Sequence, residues 1–246
     1  MSFERVAGAA LGAEPAPGPL RGEAAPTGEA TPSMRLQILS TEHWSLLASR
    51  SLAWNESFSR AGMFLTTLSG AIVALGLVGG ATGFGEAFTL FALVILPVVL
   101  FIGMATGIRL GASNYHEALC VIGMNRIRAA YLQLAPDLER YFVMSAHDDL
   151  RGLFVTTGVQ LGGGRAFWLA QMIAGTPTVV LVLNSVLIGA VAAIAALRMG
   201  GAPPQVLLVG AAGFVIGVGL QAWYARRRIG KLQAGLHPMF PTPTDE

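Results

Sequence analysis

Two short runs hold the side chains best suited to proton transfer or metal binding: His147-Asp148-Asp149 and, earlier in the chain, His116-Glu117. Imidazole and carboxylate groups are common zinc ligands and general acids or bases. A helical metal site needs ligands one turn apart so that they share a face, whereas neighbours in sequence point in different directions. Both runs consist of neighbours, so a solvated polar loop is expected, with no metal site, no bound cofactor and no catalytic residue. Cys120 is the only cysteine, which excludes an intrachain disulfide, and free cysteine usually behaves as a small buried hydrophobe. Gly162 to Gly164 lack the Lys and Ser/Thr that must follow a phosphate-cradling loop and read instead as a hinge.

The elements around these groups follow from composition. Of 246 residues, 53% are hydrophobic and 12% charged, which suits lipid rather than water as the main solvent. The net charge of +2 gives no basic excess for a nucleic-acid partner. Four uncharged stretches approach or exceed the roughly 20 apolar residues that a transmembrane helix requires. They are centred on 61–80, 87–108, 173–197 and 205–223, with Pro97 inside the second and Pro203-Pro204 opening the fourth. The expected fold is all-α, a polytopic membrane protein with four transmembrane helices whose first two continue into the cytosol as long arms.

Charge sets the expected orientation. Arg50 and Arg60 precede the first span, six arginines from Arg109 to Arg165 lie between the second and third, and Arg226, Arg227, Arg228 and Lys231 follow the fourth. The opposite connections hold only Arg198. Basic residues are retained on the cytoplasmic side, so both termini are predicted to lie in the cytosol. Phe167-Trp168 and Trp223-Tyr224 are placed as interfacial anchors. Residues 1–34 are rich in Ala, Pro, Gly and Glu and are expected to be disordered, with Met34 as an alternative start of translation. The remaining divisions are an arm at 35–60, a hairpin at 61–111, a cytosolic helical region at 112–165, a second hairpin at 166–225 and a basic, then disordered, tail at 226–246.

Apolar periodicity continues beyond the spans, which lipid does not demand. Trp44, Leu47, Ser51, Trp54, Phe58, Ala61, Leu65 and Leu68 step by three and four, the spacing of a coiled-coil seam. Ser40 or Thr41 is expected to cap this helix, and Glu56 with Arg60 forms a pair one turn apart. After the second span, Cys120, Met124, Ile127, Tyr131 and Leu134 repeat the pattern until Pro136, which ends the helix and opens a short one bearing Asp137 and Glu139. The short outer connection makes spans one and two antiparallel neighbours, and their arms can extend the hairpin. One outcome is that the two seams cover each other. The other is that part of Trp44, Leu47, Trp54, Phe58, Met124, Ile127 and Tyr131 forms an oligomer or partner interface, for which exposed tryptophans are suitable anchors.

Inside the spans, small residues recur at helical spacing: Gly76 and Gly80, Gly103, Gly107 and Gly111, Gly213 and Gly217. Such ridges let helices approach closely, within one chain or between copies. Thr66, Thr67, Ser69, Asn184 and Gln221 supply polarity; Asn184, Thr66 and Ser69 form the candidate polar membrane site, with Asn184 expected to hydrogen-bond another helix. No span contains an ionisable residue, which argues against a proton-coupled carrier or pump.

The stretches TEHWSLLASRSLAWNESFSRAGMFLTTLSGAIVALGL (41–77) and MNRIRAAYLQLAPDLERYFVMSAHDD (124–149) resemble a group of uncharacterised bacterial four-span integral membrane proteins, from about residue 35 through the last span. The resemblance implies no activity. In layout alone, the long-armed hairpin is similar to the two-span membrane effectors of bacterial nucleotide-signalling defence systems, from which this chain departs in having four spans and no sensor domain. The leading expectation is a homo-oligomeric helical assembly, with a pore or channel among its forms. The alternatives are a non-catalytic scaffold holding a cytosolic protein partner on its arms, and an enzyme at the inner membrane surface using His147, Asp148, Asp149 or His116.

Overall fold

The computed structural model describes residues 30–158 and 175–243. Helix α1 spans Pro32–Thr82 and α2 spans Glu86–Leu134. At 1.5 Å per residue each is about 75 Å long, more than twice the roughly 30 Å hydrocarbon thickness of a bilayer. A 3-10 turn, Pro136–Tyr141, and a short helix α3, Leu150–Thr156, follow. Helices α4, Thr176–Arg198, and α5, Pro203–Gly235, complete the described chain. All four long helices are apolar enough to cross a membrane, and the protein is all-α and multi-pass.

Helix α1 begins earlier than its periodicity suggests. Thr31 is its cap, its hydroxyl accepting from the Met34 N–H, and Pro32 occupies the first turn where its missing N–H is harmless. Neither Ser40 nor Thr41 is a cap; the Thr41 hydroxyl donates back to the Gln37 carbonyl inside the helix. At the other end Gly83 turns the chain in the left-handed region, followed by Phe84, also at positive φ. The Phe84 ring folds over Gly79, where a Cβ would collide with it, and meets Phe88 edge-on at 5.1 Å. This closes the α1–α2 hairpin in three residues.

The four helices form an open row instead of a closed bundle: α1 packs on α2, α2 on α4, and α4 on α5, with a lesser contact of α5 on α2. Thr89, Ala92, Leu96, Val99, Gly103, Thr106 and Leu110 of α2 step by three and four and are all buried, so α2 presents one seam to its neighbours. Phe64, Leu68 and Ala71 of α1, with Val180 and Leu187 of α4, complete the same core. Gly189, Gly210 and Gly213 bring the α4 and α5 backbones together; a Cβ on Gly189 would sit 2.8 Å from the Gly210 carbonyl oxygen. Gly217 is the only buried residue of α5. Among the described residues, an open row leaves one flank of α1 and most of α5 without a neighbour.

Two terminal assignments change. Residues 226–235 are helical, so the basic cluster rides on α5, and the segment that follows is bound to the loop at 147–149 instead of being a disordered tail. The glycine hinge at 162–164, the Phe167-Trp168 anchor and most of the N-terminal tail lie outside the described residues.

Candidate functional site

The arms pair along a seam shifted by one residue from the bulky repeat. His43, Leu46, Arg50, Ala53 and Ser57 face α2, merging downstream with Ala61, Phe64 and Leu68. Small and polar residues are favoured here because the helices lie close. The Ser113 hydroxyl donates to the Ala53 carbonyl, Arg50 pairs with Glu117 at 2.9 Å, and Leu46 fills the space left by Gly123. Nearer the membrane, Glu56 accepts from both Arg60 and Arg109, locking the two arms where the spans end. Those two hydrogen bonds hold its carboxyl below the usual range.

The bulky repeat therefore points away from α2. Trp44 is 67% exposed, Trp54 54% and Phe58 68%, and Leu47 is exposed as well. On arm two the counterpart residues turn inward: Cys120, Met124 and Ile127 are buried and Tyr131 half-buried, its ring 6.4 Å from that of His43. Burial pushes the Cys120 thiol up, as expected of a structural thiol. The candidate interface residues thus divide, those of α1 open and those of α2 enclosed.

The exposed face of α1 continues into the span. On a straight helix of 3.6 residues per turn, Trp44, Ser51, Phe58, Gly62, Ser69, Gly76 and Gly80 share one side over about ten turns, with Trp54 and Thr66 beside it. All are exposed, and a Cβ on Gly62, Gly76 or Gly80 would meet nothing within 4 Å. The other candidate packing glycines are used within the chain. Gly103 and Gly107 admit α4, Gly111 lies against the Arg228 side chain at 3.9 Å, and Gly213 and Gly217 seat α5 on α4.

Asn184 is fully buried at the meeting of α1, α2 and α4. Its Nδ2 donates weakly to Gln221 at 3.4 Å, while its Oδ1 has no hydrogen-bond partner and abuts Gly103 and the Phe64 ring. Gln221 in turn donates from Nε2 to the Ser185 hydroxyl at 3.0 Å and to the Leu181 and Gly217 carbonyls. This polar knot joins α4 to α5 inside the protein. Thr66 and Ser69 lie on the opposite, open side of α1, so the three candidate polar residues do not converge.

The His147-Asp148-Asp149 run is not a solvated loop. Asp148 is fully buried and its carboxylate accepts from Arg126 Nε at 2.6 Å, the Met239 N–H at 2.9 Å and the Phe240 N–H at 2.8 Å. Its own N–H donates to the Phe240 carbonyl. Asp149 caps α3 through the Gly152 N–H and also accepts from the Thr242 N–H and hydroxyl. The fully buried Asn125 ties the loop to α2, donating to the His147 carbonyl and accepting from Arg128 and Thr156. Burial alone would raise both Asp pKa values, but these donors outweigh it and hold both carboxyls below their ordinary value. Donors committed to the C-terminal segment occupy the acceptors that acid–base or metal chemistry would need. Among the described residues no three His, Cys, Asp or Glu side chains gather as a metal-binding group. Neither the sequence run nor its spacing revealed this role, because the partners are main-chain N–H groups of residues far along the chain.

Comparison with known proteins finds no matching family model, no matching curated protein and no matching solved structure.

Proposed function

We propose that this chain is a homo-oligomeric membrane protein whose copies meet along the open face of α1. The supporting observation is the agreement between each half of that face and its solvent. In water, the arm offers Trp44, Trp54 and Phe58, residue types that anchor interfaces by burying large apolar surface. In lipid, where greasy side chains gain nothing by pairing, the span offers Gly62, Thr66, Ser69, Gly76 and Gly80, which permit close backbone approach and hydroxyl hydrogen bonds. Both halves lie on one continuous helix and are exposed among the described residues.

Cytosolic termini are supported by the basic residues gathered on the side of the arms, and the inner membrane of a bacterium by the resemblance of 41–77 and 124–149 alone. A pore is one form of the assembly. Thr66 and Ser69 would bring hydroxyls toward the axis of a ring of copies, with no charged ring to select an ion. Mass measurement of the full chain in nanodiscs tests the assembly: an oligomer is expected, and a monomer at all accessible concentrations would overturn it. Conductance in liposomes then separates a pore from a closed assembly. The exposed aromatic trio also favours a second reading, a scaffold that holds a cytosolic protein on arm one.

A further inference from the structure

The cations at the arm end of α5 stand apart from the other arginines at that membrane boundary. Arg60 and Arg109 share Glu56, and Arg50 and Arg126 each have a carboxylate, whereas no ion pair among the described residues involves Arg226, Arg227, Arg228 or Lys231. Two of these four cationic groups are held back toward the bilayer. The Arg227 guanidinium lies 4.0 Å from the centre of the Trp223 ring. Arg228 donates from Nε and Nη2 to the Tyr224 hydroxyl at 3.1 and 2.8 Å. Helical side chains lean toward the helix N-terminus, and that of α5 is at the far side of the membrane. Stacking one turn back brings the charges about 6 Å nearer the bilayer than their own backbone, to the level of the interfacial aromatics.

Gly111 of α2 leaves room for the Arg228 stem, which lies 3.9 Å from where a Cβ would stand, while Arg227 and Lys231 are exposed beside it. Guanidinium matches a phosphate's oxygens in bidentate geometry, and unpaired cations at the headgroup level attract anionic lipid. We infer that Arg227 and Arg228, supported by Lys231, form a binding site for the phosphate of an anionic phospholipid headgroup at the level of Trp223 and Tyr224 on α5. This inference does not depend on oligomerisation through α1, which lies at the other end of the helix row.

The test uses the full chain in nanodiscs of phosphatidylcholine containing a minor share of phosphatidylglycerol, with lipids that remain bound counted by native mass spectrometry. Wild type is expected to retain phosphatidylglycerol in preference to phosphatidylcholine, and added salt should weaken the preference. Arg227→Gln with Arg228→Gln should lower it by about fivefold per cation, roughly twenty-five-fold together. Equal retention of the two lipids by wild type would overturn the site without recourse to a variant. So would an undiminished preference in the double variant, or complete displacement of the lipid by excess inorganic phosphate, which would mark a site for the free anion. Arg227→Lys with Arg228→Lys keeps the charge and should retain most of the preference.

Discussion

Gly103 of α2 lies directly against the Asn184 side chain of α4, so closely that a Cβ at position 103 would overlap Asn184 Oδ1 and the Phe64 ring. Three helices meet at this one missing methyl group. Overfilling a packed core costs about 1–3 kcal/mol, so Gly103→Ala should lower thermal stability by that amount. Gly107, one turn on, is a control, because a Cβ there would make only ordinary contacts of 3.8 and 3.9 Å. Gly107→Ala should be near neutral and Gly107→Leu should not. Equal melting temperatures for Gly103→Ala and wild type would contradict the assigned packing.

Trp44 and Trp54 should control assembly without contributing to the fold of the single chain. Trp44 is exposed on the open side of α1, and Trp54 is exposed at the edge of the seam with α2. Interface anchors cost about 2 kcal/mol or more when truncated, so Trp44→Ala with Trp54→Ala should weaken association more than about tenfold. Helical content and membrane insertion should not change. A mass distribution identical to wild type would remove these residues from the interface.

The C-terminal strap depends on Asp148. Replacing it with Asn turns one acceptor into a donor facing a donor, and leaving buried groups unmatched costs about 1–3 kcal/mol. Asp148→Asn should speed hydrogen exchange at the Met239 and Phe240 amides, which the wild-type carboxylate holds. Gly152→Ala should give the same result by another route, since its Cβ would strike the His147 carbonyl. Because the folded-state pKa of Asp148 is depressed, its contribution is complete above its unfolded value and lost as pH falls through the folded one. The strap should therefore hold at neutral pH and loosen only below about pH 4.

The arms themselves should respond to milder acid. His43 faces Tyr131 and Arg128 of α2, with Ser40 on its own helix, and its Nδ1 is buried without a partner. Burial first, and the Arg128 charge second, depress its pKa. With a depressed value the folded arms favour neutral imidazole, so its contribution is full above about pH 6.5 and declines as pH falls. Protection of the arm amides, corrected for the intrinsic pH dependence of exchange, should fall as pH drops below about 6.5, and His43→Gln should flatten that fall. A wild-type profile unchanged across this range would rule out His43 as its origin.

What could be read from the sequence was whatever depends on solvent and chain-local geometry. Uncharged runs about as long as the bilayer core is thick fix four helices wherever they finally pack, and a short outer connection at 81–86 makes the first two antiparallel. Periodicity alone fixed neither the phase of the arm nor its partner. Trp44, Trp54 and Phe58 repeat as a seam should, but α2 approaches the neighbouring face, where Ala53, Ser57 and Arg50 allow closer contact and specific pairing. Hydrophobic spacing says which residues share a side, and tertiary structure decides which side is covered. The same holds for Asp148 and Asp149. As a sequence they resemble a solvated loop, and only folding brings the N–H groups of Met239, Phe240 and Thr242 to them. Burial of charge is governed by partners distant along the chain, which no local pattern encodes.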